Sequence, residues 1–408
     1  MICGLLGRKL GHSYSPQIHA QLGSYRYELF EKEPEEIENF LKKGDFSGLN
    51  VTIPYKKAVI PYLDELSPAA QKIGAVNTIV RQPNGKLIGH NTDYFGFRYL
   101  LQKSGLDVQG KKVLVLGSGG ASNTAVAVLR QLDADAVVIS RTGENNYQNI
   151  PLHADASVIV NATPVGMYPE NGRSPVSLDH FPHLEGVLDV IYNPARTAFL
   201  LDAESRGLPA MNGLRMLVAQ AKESAEWFTG EKIDDSLIET IYHDLQLQMQ
   251  NIILIGMPGC GKTTIGQMLA ARLHKDFFDA DDVLEQNTGR PITEIIPHDG
   301  EAAFRALETQ TLSQLGRRSG LVIATGGGCV TQDRNYPLLR QNGSIFWLKR
   351  ELNRLPTEGR PLSRPGKLAE MYAVREPMYR RFADAEISNN TSVENTVDEI
   401  LRVLEGTK

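Results

Sequence analysis

The feature that most constrains the fold is a glycine-rich turn between an apolar run and a helical stretch. Gly256, Gly261, Lys262 and Thr263 form the pattern Gly-x-x-x-x-Gly-Lys-Thr, which directly follows the apolar run 251–255. A strand, a glycine turn and a helix in this order predict backbone N–H groups that surround phosphate oxygens at a helix amino end. The pattern therefore predicts a parallel α/β domain that binds a nucleoside triphosphate.

Strand-length apolar runs alternate with longer amphipathic stretches along the whole chain. In the first half, the runs 112–116 and 136–140 flank a helical stretch at 122–132. In the second half, the helical stretch 263–273 follows the phosphate loop, and apolar runs recur at 321–325 and 344–348. This alternation predicts parallel α/β sheets and two nucleotide-binding units.

The length of 408 residues exceeds what one hydrophobic core supports, so several domains are expected. Apolar residues at helical spacing in 234–248 predict a helix that closes the first half, with a boundary near Met249 and no Gly-, Pro- or Ser-rich spacer after it. We predict an N-terminal α/β domain at 1–101 with returning helices at 217–248, a Rossmann-like domain at 102–216, and a P-loop NTPase-type domain at 250–408.

Composition excludes several classes of protein. Hydrophobic residues make up 41% of the chain and charged residues 22%, and no apolar run is long enough to span a bilayer. The formal net charge of -5 does not indicate a basic surface for binding nucleic acid. The three cysteines are far apart and have no metal-ligand spacing, which favours a reducing compartment. The apolar residues at the start of the sequence have no basic residues before them, so they predict a first strand and not a secretory signal. We expect no membrane or nucleic-acid partner and a cytoplasmic location.

Three further clusters follow the phosphate loop. Asp279 and Asp281 offer two carboxylates that we expect on the same side of an extended segment, one for the magnesium shell and one for an acceptor hydroxyl. The three glycines 326–328 end a strand, where backbone amides can approach a small polar substrate. Guanidinium candidates for a carboxylate and for the transferring phosphoryl group are Arg305, Arg360 and Arg375.

These clusters, in this order, resemble shikimate kinase across the whole second half. The resemblance implies that Asp281 orients and deprotonates the 3-hydroxyl of shikimate and that Asp279, with Thr263, supports Mg²⁺. It also implies that Arg305, Gly327 and Arg375 hold shikimate. The residues implied for ATP are Gly259, Cys260, Gly261, Lys262, Thr263, Thr264 and Arg360, with Lys262 and Arg360 acting on the transferring phosphoryl group. For Arg354, stacking on adenine and simple exposure to solvent both stay open.

A second glycine turn, Gly117-Ser-Gly-Gly-Ala-Ser122, follows the run 112–116 and opens a helix, as a dinucleotide pyrophosphate loop does. Ser122 stands at the third glycine position, so the alternatives of another phosphate or no ligand stay open. The next strand ends at Arg141, where an NAD-binding unit places an acidic residue. Arg141 therefore favours NADP.

Lys56 follows a strand and a proline turn, and Asp93 ends the segment Gly89-His-Asn-Thr-Asp. From spacing alone, a lysine and a carboxylate are more often a surface pair than a proton relay. These segments, together with Ser13-Tyr-Ser-Pro16, Gly74 to Thr78, Asn161 to Met167 and Gly213 to Gln220, resemble shikimate dehydrogenase from Gly4 to about Gly230.

The resemblance implies NADPH-dependent, reversible reduction of 3-dehydroshikimate to shikimate, in which Lys56, with Asp93, transfers the proton. Substrate-binding residues implied are Ser13, Ser15, Thr52, Asn77, Asp93, Tyr192 and Gln220. Those implied for NADP are Gly117, Ser118, Gly119, Gly120, Ala121, Arg141, Thr142 and Gly213. Two departures from the family pattern are Ala20 after His19 and Asn145 near the place of a second basic residue.

The two resemblances together imply a bifunctional enzyme of the shikimate pathway, with NADP(H), ATP and Mg²⁺ as cofactors and two small acids, 3-dehydroshikimate and shikimate, as substrates. One alternative is that one half is a silent binding module, because a fold does not guarantee its chemistry. Another gives the first half quinate as substrate with NAD.

Overall fold

The computed structural model describes residues 1–11, 13–355 and 365–406, and of residues 365–367 it describes the backbone alone. The chain divides into two compact units, one of Met1–Gly166, Arg173–Tyr192 and Phe199–His243, and a second of Met167–Gly172, Asn193–Ala198 and Asp244–Lys408. The predicted domain boundaries stay predictions.

The first sheet has six strands in the order β2-β1-β3-β5-β6-β4. Its strands are β1 (Ile2–Gly7), β2 (Arg26–Glu31), β3 (Gly48–Val51), β4 (Glu65–Leu66), β5 (Thr78–Arg81) and β6 (Leu87–His90). The helices around it are α1 (Ser15–Leu22), α2 (Ile37–Lys43), α3 (Pro68–Ile73) and α4 (Asp93–Ser104).

This sheet is mixed, whereas the alternation of apolar and amphipathic stretches predicted parallel sheets. Strand β5 pairs antiparallel with both β3 and β6. The connection from β5 to β6 is a tight turn in which the Gln82 N–H donates to the Lys86 carbonyl at 2.8 Å. So short a connection cannot cross over the sheet, and it therefore forms a hairpin.

The second sheet is wholly parallel, in the order β11-β10-β9-β7-β8. Its strands are β7 (Lys112–Leu116), β8 (Asp135–Ile139), β9 (Val158–Asn161), β10 (Gly186–Asp189) and β11 (Ala210–Met211), and the helices α5 (Gly120–Gln131) and α6 (Ala198–Ser205) lie between them in the chain. The next two helices are α7 (Leu214–Thr229), which returns to pack against α1 and α4, and α8 (Ser236–Met249). Residues 113–116 of β7 are fully buried, as expected of a central strand covered on both faces. The sheet order reverses at β7, which is the switch point where such sheets bind ligands.

The third sheet is also parallel, in the order β13-β14-β12-β15-β16. Its strands are β12 (Asn251–Ile255), β13 (Asp276–Asp279), β14 (Leu321–Ala324), β15 (Gly343–Lys349) and β16 (Ala385–Ser388). Its helices are α9 (Lys262–Leu273), α10 (Ala280–Thr288), α11 (Ile292–Asp299), α12 (Glu301–Arg317), α13 (Asn335–Arg340), α14 (Pro365–Phe382) and α15 (Val393–Gly406). Every residue of β12 is buried, and this strand directs the phosphate loop from the middle of the sheet.

The predicted α/β class is confirmed, and most predicted elements lie within two residues of the observed ones. One local expectation is wrong. Asp279 and Asp281 do not share an extended segment, because β13 ends at Asp279 and α10 begins at the next residue. The Asp279 carboxylate accepts from the Asp281 backbone N–H at 3.1 Å, so Asp279 is the N-cap of α10.

No helix among the described residues is long and apolar enough to cross a membrane.

Candidate active sites

The first candidate site lies at the edge of the mixed sheet where β3 and β6 end and β5 begins. Asn50 pairs with Thr78 across β3 and β5, and Thr78 pairs with His90 across β5 and β6. The antiparallel course of β5 thus brings Asn77, just before that strand, beside Thr92, just after β6. Segments far apart in the sequence meet at one edge for this reason.

Lys56 and Asp93 form the ion pair of this edge. The Lys56 Nζ atom lies 2.5 Å from Asp93 Oδ2, and the two side chains are 25% and 10% exposed. The Lys56 carbonyl accepts from the Val76 N–H at 2.7 Å, which fixes the lysine next to the Asn77 segment. A pair so shielded is unlike the exposed ion pairs that contribute little, and this geometry suits proton transfer.

Asn77 is held by hydrogen bonds on both ends of its amide. Its Oδ1 accepts from the Thr92 N–H at 2.7 Å, and its Nδ2 donates to Thr92 Oγ1 at 3.0 Å and to Gln220 Oε1 at 3.3 Å. Gln220 lies on α7 and donates its own Nε2 to the Leu217 carbonyl at 3.1 Å. Because every group is anchored, the two amides present fixed hydrogen-bonding groups to a ligand. Thr92 was not among the predicted site residues.

The serine pair, Tyr192 and Thr52 are further residues of the predicted substrate site. The Ser15 N–H donates to Ser13 Oγ at 3.2 Å at the start of α1. Tyr192, after β10, packs edge to face on Tyr14, with ring centroids 6.3 Å apart, and burial raises the pKa of its phenol. Thr52 follows β3 and donates its N–H to the Leu6 carbonyl at 2.9 Å.

The second candidate site is the turn between β7 and α5. Ser118 and Gly119 are exposed, and a Cβ added at Gly119 or Gly120 would meet no atom within 4 Å, so backbone amides are open to a ligand. The Ser122 hydroxyl, at the third glycine position, donates to the Gly117 carbonyl at 2.7 Å. The Ser122 side chain is therefore bonded to the turn itself and does not block the ligand position. The turn, with its open backbone amides, fits a pyrophosphate. The partly buried Ala121 lies in the first turn of α5.

Arg141 and Thr142 follow β8 and are exposed. Strand β8 lies next to β7, with Ile139 opposite Leu116, so this turn and the glycine turn open at the same edge of the sheet. Gly213 directly precedes α7 as its N-cap residue, and a Cβ there would lie 2.1 Å from the Val190 carbonyl oxygen. The close backbone approach by itself requires a glycine at that position.

The third candidate site is the phosphate loop between β12 and α9. Gly261 has φ +100°, and a Cβ added to it would lie 2.6 Å from Asn389 Nδ2. The Lys262 ammonium donates to the carbonyls of Gly256 at 3.0 Å and Met257 at 3.1 Å, which keeps it over the loop. The Cys260 thiol is buried. Cys260 and the neighbouring Gly259 therefore contribute backbone groups to the phosphate loop. Thr264 is exposed in the first turn of α9.

The loop and the carboxylate pair meet through Thr263, whose hydroxyl donates to Asp279 Oδ2 at 2.8 Å. A hydroxyl and a carboxylate at this distance suit Mg²⁺, which takes oxygen ligands and is held in such sites by few protein groups. Burial raises the pKa of Asp281 to about 6, and the nearby carboxylates of Asp279 and Glu308 contribute to this rise, against the opposing effect of Lys262. Asp281 is therefore suited to accept a proton near neutral pH.

Arg305 and Arg375 converge on the triple-glycine turn after β14. The Arg305 guanidinium lies against Gly328, where an added Cβ would be 2.3 Å from Nη2. Arg375 donates to the Gly327 carbonyl at 3.2 Å, and the Tyr379 hydroxyl donates to the same oxygen. The predicted carboxylate-binding groups are thus brought together around one turn. Arg360 lies outside the described residues.

Glu308 is a residue of this site that the sequence analysis missed. Its side chain is 2% exposed, Oε2 accepts from Arg305 Nη1 at 2.9 Å, and Oε1 is buried without a partner among the described residues. A Cβ at Gly326 would lie 2.7 Å from Glu308 Oε1 and 2.9 Å from Asp281 Oδ1, so the two carboxylates face the same turn. The sequence did contain one signal for Glu308: it follows Arg305 by three residues, and on a helix this spacing places the two side chains next to each other.

Arg354 forms an exposed ion pair with Glu351, Nε to Oε2 at 3.2 Å, and also donates to the Asn390 carbonyl. Both interpretations of Arg354, stacking on adenine and simple exposure to solvent, stay predictions.

Comparison with known proteins places these sites in two families. The family model of the shikimate dehydrogenase substrate binding domain matches residues 5–79. The NADP(+)-dependent shikimate dehydrogenase of Clostridium perfringens (strain SM101) is 37% identical over an alignment of 265 residues, and the match covers 60% of this chain and 97% of that protein. The chain belongs to the shikimate dehydrogenase family. The shikimate kinase family model matches residues 258–405, so both resemblances in the sequence are confirmed.

Solved structures agree over the same part. Shikimate dehydrogenase 1 from Peptoclostridium difficile is 39% identical with a TM-score of 0.56, and the match covers 60% of this chain and 97% of that one. A quinate dehydrogenase from Corynebacterium glutamicum, solved in complex with NAD, is 28% identical with a TM-score of 0.54 over 60% of this chain and 99% of that one.

Proposed function

We propose that this chain is a bifunctional enzyme of the shikimate pathway. Its dehydrogenase part reduces 3-dehydroshikimate to shikimate with NADPH, reversibly, and its kinase part phosphorylates shikimate to shikimate 3-phosphate with MgATP. These are consecutive steps toward chorismate and the aromatic amino acids. The observation that carries the proposal is the presence in one chain of two reaction centres, the shielded Lys56–Asp93 pair and the phosphate loop beside Asp281.

In the dehydrogenase site, Lys56 holds the proton that passes to the oxygen on C3 of the substrate. Asp93 keeps the ammonium in place through the 2.5 Å contact. NADPH, when bound, supplies the hydride to C3. The side chains proposed to bind the substrate are Ser13, Ser15 and Thr52 at the carboxylate end, and Asn77, Asp93, Tyr192 and Gln220 at the hydroxyls and ring edge.

For NADP, we propose that the turn Gly117 to Ala121 receives the pyrophosphate through backbone N–H groups at the start of α5. Arg141 and Thr142 receive the 2′-phosphate, since a guanidinium binds a phosphate through two parallel hydrogen bonds. Gly213, at the start of α7, lines the cofactor site with its backbone.

In the kinase site, residues Gly259 to Thr264 hold the ATP phosphates, and Thr263 and Asp279 hold the magnesium ion. Asp281 accepts the proton of the shikimate 3-hydroxyl, while Arg305, Gly327 and Arg375 bind shikimate. Glu308 holds the Arg305 guanidinium by the hydrogen bond described above. Lys262 and Arg360 stabilise charge on the transferring phosphoryl group.

The direct test is incubation of the full chain with 3-dehydroshikimate, NADPH and MgATP while both cofactors and both products are followed. We expect NADPH oxidation and ATP consumption, with shikimate and then shikimate 3-phosphate as products. Lys56→Ala should stop the first step and spare phosphorylation of added shikimate, and Lys262→Ala should do the reverse. A wild-type chain that performs only one step would show that the other part is a silent module.

A second candidate for the first part is quinate oxidation with NAD, favoured by the similarity to a quinate dehydrogenase. Arg141 at the end of β8 favours NADP instead. Initial rates with shikimate or quinate, each with NADP⁺ or NAD⁺, separate the two. Greater kcat/KM for quinate with NAD⁺ would replace shikimate dehydrogenase by quinate dehydrogenase in this proposal.

We also propose a cytoplasmic location. The support is chemical: Cys3, Cys260 and Cys329 are buried free thiols, and burial raises the pKa of Cys3 and of Cys329 to about 12. Unpaired thiols are usual in a reducing compartment.

A further inference from the structure

The triple-glycine turn of the kinase site contacts both the phosphate loop and helix α14. A Cβ added at Gly327 would lie 2.7 Å from Pro258 Cδ, in the phosphate loop. The Gly327 carbonyl oxygen faces α14, where it accepts hydrogen bonds from the Tyr379 hydroxyl and, at 3.2 Å, from Arg375 Nη1. The Tyr379 oxygen also lies 3.8 Å from the sulfur of Met257, in the same loop. Tyr379 thus lies where the parts proposed to bind the two kinase substrates meet.

The two donors to the Gly327 carbonyl have different surroundings. The Tyr379 side chain is fully buried, and its ring is stacked on Trp347 of β15, with centroids 5.7 Å apart and planes 20° from parallel. Burial raises the pKa of Tyr379 above its ordinary value, so the hydroxyl keeps its hydrogen and donates it. Arg375 is only partly buried. One donor is therefore enclosed in the core, and the other is partly open to solvent.

The two hydrogen bonds on this oxygen have different fates when a ligand binds. A carbonyl oxygen has two lone pairs, so it accepts from both groups at once. Arg375 is also proposed to bind shikimate, and a guanidinium binds a carboxylate best through two parallel hydrogen bonds. A guanidinium that turns to a carboxylate in this way gives up the Gly327 oxygen. The bond from Tyr379 lies in the core, so it persists and keeps that oxygen hydrogen-bonded.

We infer that Tyr379 is a positioning residue of the kinase site: by donating to the Gly327 carbonyl, it frees Arg375 to bind the carboxylate of shikimate. The inference rests on the proposed kinase function. Without the Tyr379 hydroxyl, Arg375 either stays on the carbonyl or leaves that oxygen without a donor among the described residues. In both cases the binding of shikimate is weakened by about one hydrogen bond, whereas the free protein still has the bond from Arg375.

The test is Tyr379→Phe in the full chain, which retains the ring and its stack on Trp347. At saturating MgATP, we expect the KM for shikimate in phosphorylation to rise about three- to tenfold, with kcat and the KM for ATP unchanged. The KM for shikimate in oxidation by NADP⁺ should not change, because that reaction uses the other site. Tyr372→Phe is the matched control, since Tyr372 lies earlier on α14 and is not among the described donors to the Gly327 carbonyl. It should leave all these constants unchanged.

A double-mutant cycle with Arg375→Ala shows whether Tyr379 acts through the guanidinium. In the Arg375→Ala background, Tyr379→Phe should leave kcat/KM for shikimate phosphorylation unchanged, because no guanidinium remains for the carbonyl to retain. Effects that simply multiply, or an unchanged KM in Tyr379→Phe alone, overturn the inference. Loss of ATP binding together with shikimate binding would also overturn it, because it indicates a general structural role. A wild-type chain that cannot phosphorylate shikimate would overturn the proposed kinase function instead.

Discussion

Two adjacent lysines follow strand β3, and within the described part of the chain only Lys56 forms an ion pair with a carboxylate. Lys56 contacts Asp93 at 2.5 Å, whereas Lys57 is exposed. The side chain of Lys56 is held at the edge where Asn77 and Gln220 meet. The two ammonium groups are chemically identical and differ only in their surroundings. Substitution of Lys56 and substitution of Lys57 therefore form a matched pair of variants.

We expect Lys56→Ala to lower kcat for shikimate oxidation by about 10²- to 10⁴-fold, the usual value of a positioned proton-transfer group. Lys57→Ala should leave kcat unchanged, and both variants should retain kinase activity. Initial rates of NADPH formation measure the first effect. Equal losses in both variants would show that the pair has no special role.

Asp281 gives the kinase step a pH dependence. Its raised pKa, about 6, means that the protonated acid persists to higher pH than in an ordinary aspartate, and only the carboxylate can accept a proton. We expect kcat/KM for shikimate phosphorylation to be constant above this pKa and to fall as pH decreases through about 6. Asp281→Asn should be inactive across the range.

The control is Asp282→Asn, because the Asp282 carboxylate raises the pKa of Asp281 less than the carboxylates of Asp279 and Glu308 do. This variant should remain active, with the acid limb moved slightly to lower pH. An unmoved or absent limb in the wild type would exclude Asp281 as the proton acceptor.

At the scale of elements, the junction of strand β12 and helix α9 depends on the space around Gly261. The Asn389 amide that a Cβ would meet at 2.6 Å donates to the Cys260 carbonyl, also at 2.6 Å. Asn389 cannot move aside without breaking this bond. The loop therefore tolerates no side chain at Gly261, because the φ angle there is +100° and because Asn389 occupies the space that a Cβ would need.

We expect Gly261→Ala to abolish ATP binding and to lower the free energy of unfolding by about 2–4 kcal/mol, from backbone strain and displacement of a buried amide. Gly289→Ala separates the two causes, since Gly289 has φ +66° but open space around it. It should cost only about 1 kcal/mol and leave ATP binding intact. Urea unfolding and ATP titration measure both effects, and similar results for the two variants would contradict the packing argument.

At the scale of the whole molecule, the chain holds two chemistries that share one small acid. Because shikimate is a diffusible product of the first site and substrate of the second, chains that lack different sites should complement each other. We expect an equimolar mixture of Lys56→Ala and Lys262→Ala chains to convert 3-dehydroshikimate to shikimate 3-phosphate, whereas neither variant does so alone.

Time courses of both products from the mixture and from the wild type measure this. The mixture should show a lag while free shikimate accumulates toward its KM. Failure of the mixture to form shikimate 3-phosphate, with each single activity intact, would mean that shikimate passes only within one chain.

The sequence by itself determined the features that depend on local order. A phosphate loop needs only a strand, glycines and a helix in succession, so both glycine turns and the strands that flank them were predictable. The residues of each family pattern, including Lys56, Asp93, Lys262 and Asp281, could be named from the sequence because each pattern is a run of neighbouring residues, and their roles stay predictions.

Only the tertiary structure decided what depends on pairing between distant segments. The antiparallel course of β5 brings Asn77 to Thr92 and Gln220, and no periodicity reveals that register. The buried Glu308 beside Arg305, the raised pKa of Asp281 and the Tyr379 contacts likewise depend on burial and on neighbours from other elements. Desolvation and hydrogen-bond orientation are properties of a packed environment, and the linear sequence specifies that environment only through the fold.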